Sequence, residues 1–201
     1  LLGVLLTART VFPLDEIVEQ DGARVLIAPM AQMFLKNYEE AIAEYDAYAA
    51  AWPDGSWRPS ATFHSGVALF GMENYAEARE RFTQVIETWP DDSVYSDACS
   101  MRGDLLASEG LLDEAQRDYE EAIASARLPR QATYAVFQMA GMFELEERYD
   151  EILDVVNVYL DRYDEDADVA KAAFWIGKTK LQQGLVNEAI NSAAKPGELN
   201  A

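Results

Sequence analysis

Cysteine and histidine are nearly absent from this 201-residue chain, which contains Cys99 and His64 as its one residue of each type. One cysteine excludes an internal disulfide framework and any zinc site built from several cysteines. One histidine leaves a single imidazole base for a serine nucleophile, and no Gly-x-Ser-x-Gly motif accompanies it. A glycine-rich phosphate loop is also missing. The sequence therefore predicts a protein that is not an enzyme and that binds no metal or cofactor.

Basic side chains are scarce as well. Sixteen Lys and Arg residues stand against 36 Asp and Glu residues, which gives a formal net charge of −20. Such a charge repels the phosphates of nucleic acids and the surfaces of anionic membranes. No segment approaches the roughly 20 apolar residues that a membrane-spanning helix needs. Two interpretations of the acidic surplus stay open: an ordinary solvated exterior, or attraction to a basic partner.

A five-residue phrase recurs every 37 residues, at positions 37–41, 74–78, 111–115, 148–152 and 185–189. Self-similarity at a period between 20 and 50 residues predicts a stacked-repeat protein. After each of the first four copies, apolar residues follow at spacings of four and three, which indicates one buried helical stripe. These stripes are Ala41, Tyr45, Tyr48; Ala78, Phe82, Val85; Ala115, Tyr119, Ala122; and Ile152, Val156, Tyr159.

The phrase itself is typical of a helix start. Asn37 and Asn74 are predicted to cap their helices with their side chains, and a glutamate three residues later completes a near capping box. That glutamate is present in all five copies, as Glu40, Glu77, Glu114, Glu151 and Glu188. Trp-Pro at 52–53 and 89–90 predicts the ends of two copies, because proline cannot continue a helix. The third copy is predicted to end later, at Leu128-Pro129, and the fourth at Tyr163.

A second helix is predicted before each phrase, with a small residue at one shared position. The residues at that position are Gly66, Gly103, Ala140 and Gly177. A position without a large side chain lets two helices approach closely. We expect these small residues to face the alanines of the partner helix, namely Ala78, Ala115 and Ala189.

Two helices per repeat, a small residue in the first, alanine and an aromatic in the second, and proline at the exit resemble the tetratricopeptide repeat. The second repeat matches best, with Gly66, Leu69, Ala78, Phe82 and Pro90 at the pattern's Gly, Tyr, Ala, Phe and Pro. The resemblance covers about residues 59 to 195. It implies an all-α fold, a right-handed superhelical solenoid of antiparallel helix pairs with about five 37-residue units. The period exceeds the usual 34 residues by three, which we assign to the linkers between repeats.

The resemblance divides the chain into three segments. Residues 1–24 are predicted to be an atypical, truncated N-terminal segment, residues 25–195 a repeat array with degenerate first and last repeats, and residues 196–201 a tail. Pro29 stands where the first repeat should have its small residue. We therefore expect the first helix to be short or broken and to begin near Pro29.

In the tetratricopeptide family the first helices line the concave face on which ligands lie. The first helices of this chain carry a second row of apolar residues and two lysines that packing within a helix pair does not need. The candidate partner-binding residues are Phe63, Val67, Phe70, Tyr134, Phe137, Lys171, Phe174 and Lys178. Packing between neighbouring repeats is an equally good explanation for the aromatic members. Lys171 and Lys178, with Lys180, are predicted to form one basic patch.

The leading functional hypothesis is a noncatalytic protein-protein interaction scaffold that holds a peptide or protein partner in a concave groove. The long linkers resemble those of envelope-associated bacterial repeat proteins, such as the Tol-associated periplasmic coordinator and the barrel-assembly lipoprotein. This resemblance favours the bacterial periplasm or outer membrane surface and leaves the cytoplasm open. Two alternatives remain: an accessory repeat region of a larger enzyme or regulator, and a helical-repeat RNA binder, which the acidic charge disfavours. Partner identity and oligomeric state stay open.

Overall fold

The computed structural model describes residues 27–163, 168–185 and 188. These residues contain nine α-helices and no strand. The helices are α1 (Ile27–Leu35), α2 (Tyr38–Ala51), α3 (Arg58–Gly71), α4 (Tyr75–Thr88), α5 (Tyr95–Ser108), α6 (Leu112–Ser125), α7 (Pro129–Leu145), α8 (Tyr149–Arg162) and α9 (Val169–Gln182). The predicted segments 1–24 and 196–201 lie outside the described residues, and one array over 25–195 stays a prediction.

The chain divides into two compact units, Leu1–Val94 and Tyr95–Ala201, which we call the N-terminal and the C-terminal unit. Within each unit, helices that follow one another along the chain pack against one another. In the C-terminal unit α5 also packs against α7, so two first helices of successive repeats are direct neighbours there. This arrangement brings side chains from different repeats onto one surface of the unit.

Two of the linkers between repeats are longer than the turns within the helix pairs. Six residues, at 52–57 and 89–94, separate a second helix from the next first helix, whereas two residues separate α1 from α2 and three separate the helices of the next three pairs. The third repeat differs, because α6 ends at Ser125 and Pro129 begins α7. The predicted late stop at Leu128-Pro129 is therefore wrong. Proline is favoured in the first helical turn, where its missing N–H has no intrahelical partner to lose, and α7 extends to 17 residues while the linker shortens to 126–128.

Each turn within a helix pair contains one residue with a left-handed backbone. These residues recur every 37 positions as Lys36, Glu73, Gly110, Glu147 and Gly184, with φ between 58° and 79°. The next residue donates its N–H to the carbonyl five residues earlier, as in Asn74 to Leu69 at 2.9 Å and Leu111 to Leu106 at 2.9 Å. This bond satisfies a carbonyl that the helix end would otherwise leave without a donor. The same turn thus ends the first helix of every described pair.

The predicted capping by Asn37 and Asn74 is wrong. Both residues occupy the position before the helix, yet neither side chain makes a capping hydrogen bond. The Asn37 amide instead donates to Gln32 Oε1 at 2.8 Å. Their ψ angles of 70° and 69° differ from the extended backbone that side-chain caps normally adopt, because the preceding left-handed turn fixes the chain there. First-turn carboxylates such as Glu40 still face the positive end of the helix dipole.

The second-helix stripes form the core, as predicted. All twelve residues of the four stripes are buried, including Tyr45, Phe82 and Tyr119. The small residues of the first helices face these rings and not the predicted alanines. A Cβ on Gly66 would lie 2.8 Å from Phe82 Cε1, and one on Gly103 would lie 2.8 Å from Tyr119 Cε1. The equivalent positions of the next repeat hold Ala140 and Val156, and both are buried.

Helix α1 contains Pro29, which is buried. Its described part is Ile27–Leu35, and two of these residues precede Pro29, so the expected start at Pro29 is wrong. Of the small-residue contacts, Gly177 is buried, while its predicted partner Ala189 lies outside the described residues.

Candidate functional site

Two of the predicted site residues are part of the core of their own units. Phe63 is 8% exposed and its ring centroid lies 5.8 Å from that of Phe82. Phe137 is 5% exposed and stacks on Trp175, with centroids 6.4 Å apart and an interplanar angle of 15°. Both rings are covered by side chains of the chain itself, so they offer little contact area to a partner.

The other two N-terminal candidates, Val67 and Phe70, are half-buried on α3. The ring of Phe70 meets that of Tyr75 edge-on, with centroids 5.4 Å apart. Tyr75 is itself exposed at the start of α4. In this unit the predicted row therefore retains a small apolar surface without a charged member.

The C-terminal unit exposes more of its candidates. Tyr134 on α7 is 43% exposed, and Phe174 and Leu181 on α9 are 62% and 57% exposed. Lys171 is exposed beside them, and its ammonium lies 4.3 Å from the centroid of the Phe137 ring. A cation above an aromatic face is held by the quadrupole of the ring. The buried Phe137 thus positions an exposed lysine.

The three lysines of α9 do not form one basic patch, which corrects the prediction. Lys178 donates to Glu144 Oε2 at 2.6 Å and lies 4.8 Å from the centroid of Trp175. Lys180 pairs with Glu188 at 3.3 Å. The hydrogen bond from Lys178 lowers the pKa of Glu144 below its ordinary value. Two of the three positive charges are consequently compensated within the chain, and Lys171 keeps its ammonium free of any carboxylate among the described residues.

A polar cluster in the C-terminal unit was missed by sequence reasoning. The Asp104 carboxylate of α5 accepts hydrogen bonds from Tyr119 at 2.7 Å, from Gln138 Nε2 at 3.0 Å, and from the Tyr134 hydroxyl. Burial, and after it the Asp104 carboxylate, raise the pKa of Tyr119 and Tyr134 above their ordinary value. Tyr134 and Gln138 are four residues apart on α7, a spacing that places them on one helix face. That spacing is the signal that could have revealed the cluster.

Residues with catalytic or metal-binding potential have packing roles. His64 stacks on Tyr45 with centroids 5.9 Å apart and meets Phe63 edge-on. Cys99 is buried, and burial raises its thiol pKa to about 12, which keeps it protonated at neutral pH. Within the described ranges no group of three His, Cys, Asp or Glu residues is placed to hold a metal ion. None of the helices described here combines the length and apolar character needed to cross a membrane.

The fold and this surface define a protein built from repeated antiparallel helix pairs. Residues 60–92 and residues 96–127 each match a tetratricopeptide repeat profile. The chain therefore contains tetratricopeptide repeats, one matched repeat in each compact unit. No curated protein matches the chain significantly.

Solved structures of similar fold cover most of the chain. MamA from Desulfovibrio magneticus RS-1 is 17% identical with a TM-score of 0.63, over 89% of this chain and 94% of that one. YrrB, described as a TPR protein with an unusual peptide-binding site, is 20% identical with a TM-score of 0.58, over 90% and 87%. TPR-like repeats of a putative kinesin light chain from Podosopora anserina are 11% identical with a TM-score of 0.66, over 87% and 92%. At these identities the likeness shows the fold, and the predicted all-α helical-repeat class is confirmed.

Proposed function

We propose that this chain is a noncatalytic scaffold for protein-protein interaction and that its C-terminal unit holds a partner peptide along α9 and the neighbouring part of α7. The observation that carries the proposal is the exposure of Phe174 and Leu181 on a first helix. Phe174 occupies the same repeat position as the buried Phe63 and Phe137, which lie 111 and 37 residues before it along the chain. An aromatic side chain that is core in other repeats is a free apolar anchor in this one.

The spacing on α9 suits a peptide. Lys171, Phe174, Lys178 and Leu181 follow one another at intervals of three, four and three, which keeps them on one face. At 1.5 Å per residue this face is about 15 Å long, the length of four or five residues of an extended strand. Apolar side chains of a partner can pack on Phe174 and Leu181, and the Lys171 ammonium can donate hydrogen bonds to a partner carboxylate.

The remaining candidates have supporting roles in this proposal. Phe137 holds the Lys171 ammonium above its ring, and Lys178 is fixed by Glu144 and Trp175. Tyr134 extends the surface onto α7. Val67 and Phe70 provide a second, smaller apolar surface in the N-terminal unit, and Phe63 supports it from the core.

The peptide-binding site described for YrrB, a protein of similar fold, supports the choice of a peptide as partner. The finer part of the proposal places the scaffold in a bacterial envelope complex. Its support is the resemblance of the linkers at 52–57 and 89–94 to those of envelope-associated repeat proteins.

The proposal is tested by selecting peptides from a random display library on the full chain and measuring the dissociation constant of an enriched peptide by fluorescence anisotropy. Phe174→Ser is expected to raise that constant at least tenfold, because a lost aromatic anchor removes more than about 1.4 kcal/mol of binding free energy. Phe174 is suitable because it is exposed, so its replacement leaves the core intact. Circular dichroism should show unchanged helicity.

Val158→Ser is the matched control. Val158 is 59% exposed on the second helix α8, so this substitution removes an apolar side chain of similar exposed fraction from a different helix. We expect it to change the dissociation constant less than twofold. An equal loss with Val158→Ser, or unchanged binding with Phe174→Ser, would show that the peptide binds elsewhere, and a library without enriched peptides would oppose peptide binding altogether.

A further inference from the structure

The Asp104 carboxylate is held by hydrogen-bond donors that carry no charge. Tyr119, Tyr134 and Gln138 supply hydroxyl and amide hydrogens to its two oxygens. No lysine or arginine in the described part of the chain forms an ion pair with it. Arg102, two residues earlier on α5, is engaged by Asp118 through contacts of 2.6 and 2.7 Å. The carboxylate is therefore fixed in place while its negative charge stays uncompensated.

The cluster leaves room for one additional donor. Oδ1 accepts from both Tyr119 and Gln138, which occupies the two lone pairs of that oxygen. Oδ2 accepts from Tyr134 alone among the described residues, so one lone pair remains. An arginine fork needs both oxygens of a carboxylate, whereas a lysine ammonium can bind a single one. The geometry thus favours a lysine.

The cluster is open to a partner on one side and anchored on the other. Tyr119 lies in the core, while Tyr134 and Gln138 are exposed and Asp104 is half-buried between them. The exposed ring of Tyr134 next to the carboxylate gives the apolar stem of a lysine a surface to pack on. A fixed carboxylate also loses no side-chain entropy when a cation arrives.

We propose that Asp104, held by Tyr119, Tyr134 and Gln138, binds a lysine side chain of the partner. The proposal rests on the proposed function, since it takes the partner to be a peptide on the first helices of the C-terminal unit, and it adds the chemistry of one partner residue. A net charge of −20 makes the chain attractive to such a basic segment. Asp104 would then bind a positively charged group of the partner and Lys171 a negatively charged one. These two contacts would determine the direction in which the peptide lies.

The test uses a single-residue probe, so it does not depend on finding the partner. Nα-acetyl-lysine amide is titrated into the ¹⁵N-labelled full chain at low salt, and the side-chain amide resonances of Gln138 are followed by NMR. We expect shifts that grow with probe concentration up to about 0.1 M, because one partly exposed ion pair contributes only about 1 kcal/mol. Nα-acetyl-norleucine amide, which has the same stem without the ammonium, should give shifts at least fivefold smaller.

Two variants make the result specific. Asp104→Asn should reduce the lysine-dependent shifts at least fivefold, while Asp113→Asn, which removes one exposed acidic charge from the start of α6, should leave them unchanged. Equal shifts with norleucine, or equal losses in the two variants, would overturn the proposal. If Asp104→Asn fails to fold, the comparison of lysine with norleucine on the unsubstituted chain still decides. Phe174→Ser should leave the lysine response intact, so peptide binding and this site can fail separately.

Discussion

Each compact unit has a buried tyrosine at the same position of a second helix, and the hydroxyl groups of these two tyrosines differ in their hydrogen bonds. Tyr45 of the N-terminal unit and Tyr119 of the C-terminal unit are buried and stand two repeats apart. The Tyr45 hydroxyl has no hydrogen-bond partner, whereas the Tyr119 hydroxyl donates to Asp104 at 2.7 Å. One tyrosine is therefore only a core ring, while the other connects the core to a polar cluster on the surface.

The difference arises at one position of the first helix. Asp104 of α5 occupies the repeat position that Met30 occupies in α1, the first helix of the pair that contains Tyr45. A thioether is only a weak hydrogen-bond acceptor, whereas the aspartate reaches Tyr119 on its own pair and Tyr134 on the next first helix. The repeat thus fixes backbone and core, and a change at a single position on this shared frame creates a candidate binding group.

The largest loss of stability is expected at a feature that both units share, the first-helix glycine that faces an aromatic ring of the second helix. Gly103→Leu should lower the free energy of unfolding by about 3 kcal/mol, because even a Cβ would meet the buried Tyr119 ring at 2.8 Å. Gly66→Leu should cost a similar amount against Phe82, also at 2.8 Å. Urea unfolding of the full-length variants, followed by circular dichroism, measures both losses.

Gly141→Ala is the control for these substitutions. Gly141 is a first-helix glycine of α7, and its nearest neighbour to an added Cβ is Trp175 Cη2 at 4.0 Å. With that space open, alanine should stabilise the helix by about 1 kcal/mol through its higher helix propensity. A loss at Gly141, or no loss at Gly103, would contradict the assignment of the tight contact.

Replacing the equivalent tyrosines by phenylalanine should change the free energy of unfolding by an intermediate amount, with opposite signs in the two units. Tyr119→Phe is expected to lower the free energy of unfolding by about 1.5 kcal/mol, the value of a hydrogen bond to a charged group. Tyr45→Phe should instead raise it by about 1 kcal/mol, since the hydroxyl it removes is buried without a partner. Phe82 shows that phenylalanine fits the same repeat position. Thermal and urea unfolding at pH 7 measure both changes.

The pH dependence provides an independent check on Tyr45. Burial, and after it the Glu44 carboxylate, raise the pKa of Tyr45 to about 12. A pKa higher in the folded than in the unfolded state gives stability that is complete below about pH 10 and lost as the pH rises towards 12. The advantage of Tyr45→Phe should therefore grow above pH 10. An advantage that stays constant from pH 7 to pH 11 would show that this hydroxyl does not titrate as its burial implies.

Features determined by local pattern were predictable from the sequence. The period, the helix pairs and the buried stripes follow from spacing, because a helix repeats its faces every three or four residues. The accessibility of a first-helix aromatic was not predictable, since Phe137 and Phe174 share a position and differ in what covers them. The Asp104 cluster joins three helices, so the spacing of Tyr134 and Gln138 indicates a shared helix face but not the acceptor, which lies 30 and 34 residues away from them.

The smallest changes in stability are expected in the turns within the helix pairs. These turns share a residue with a left-handed backbone, but the type of that residue differs between repeats. Gly110→Ala should lower the free energy of unfolding by about 1 kcal/mol, because φ is 79° there and the space around the residue is open. Glu73→Gly, at φ 62° in the N-terminal unit, should relieve strain and raise it by up to about 1 kcal/mol. Ala107→Gly, inside α5, controls for the flexibility that glycine adds to the unfolded chain and should be destabilising. Opposite signs for the two turn substitutions in urea unfolding would confirm that every pair ends in the same turn, while a loss with both would show that side-chain contacts of Glu73 outweigh its backbone strain.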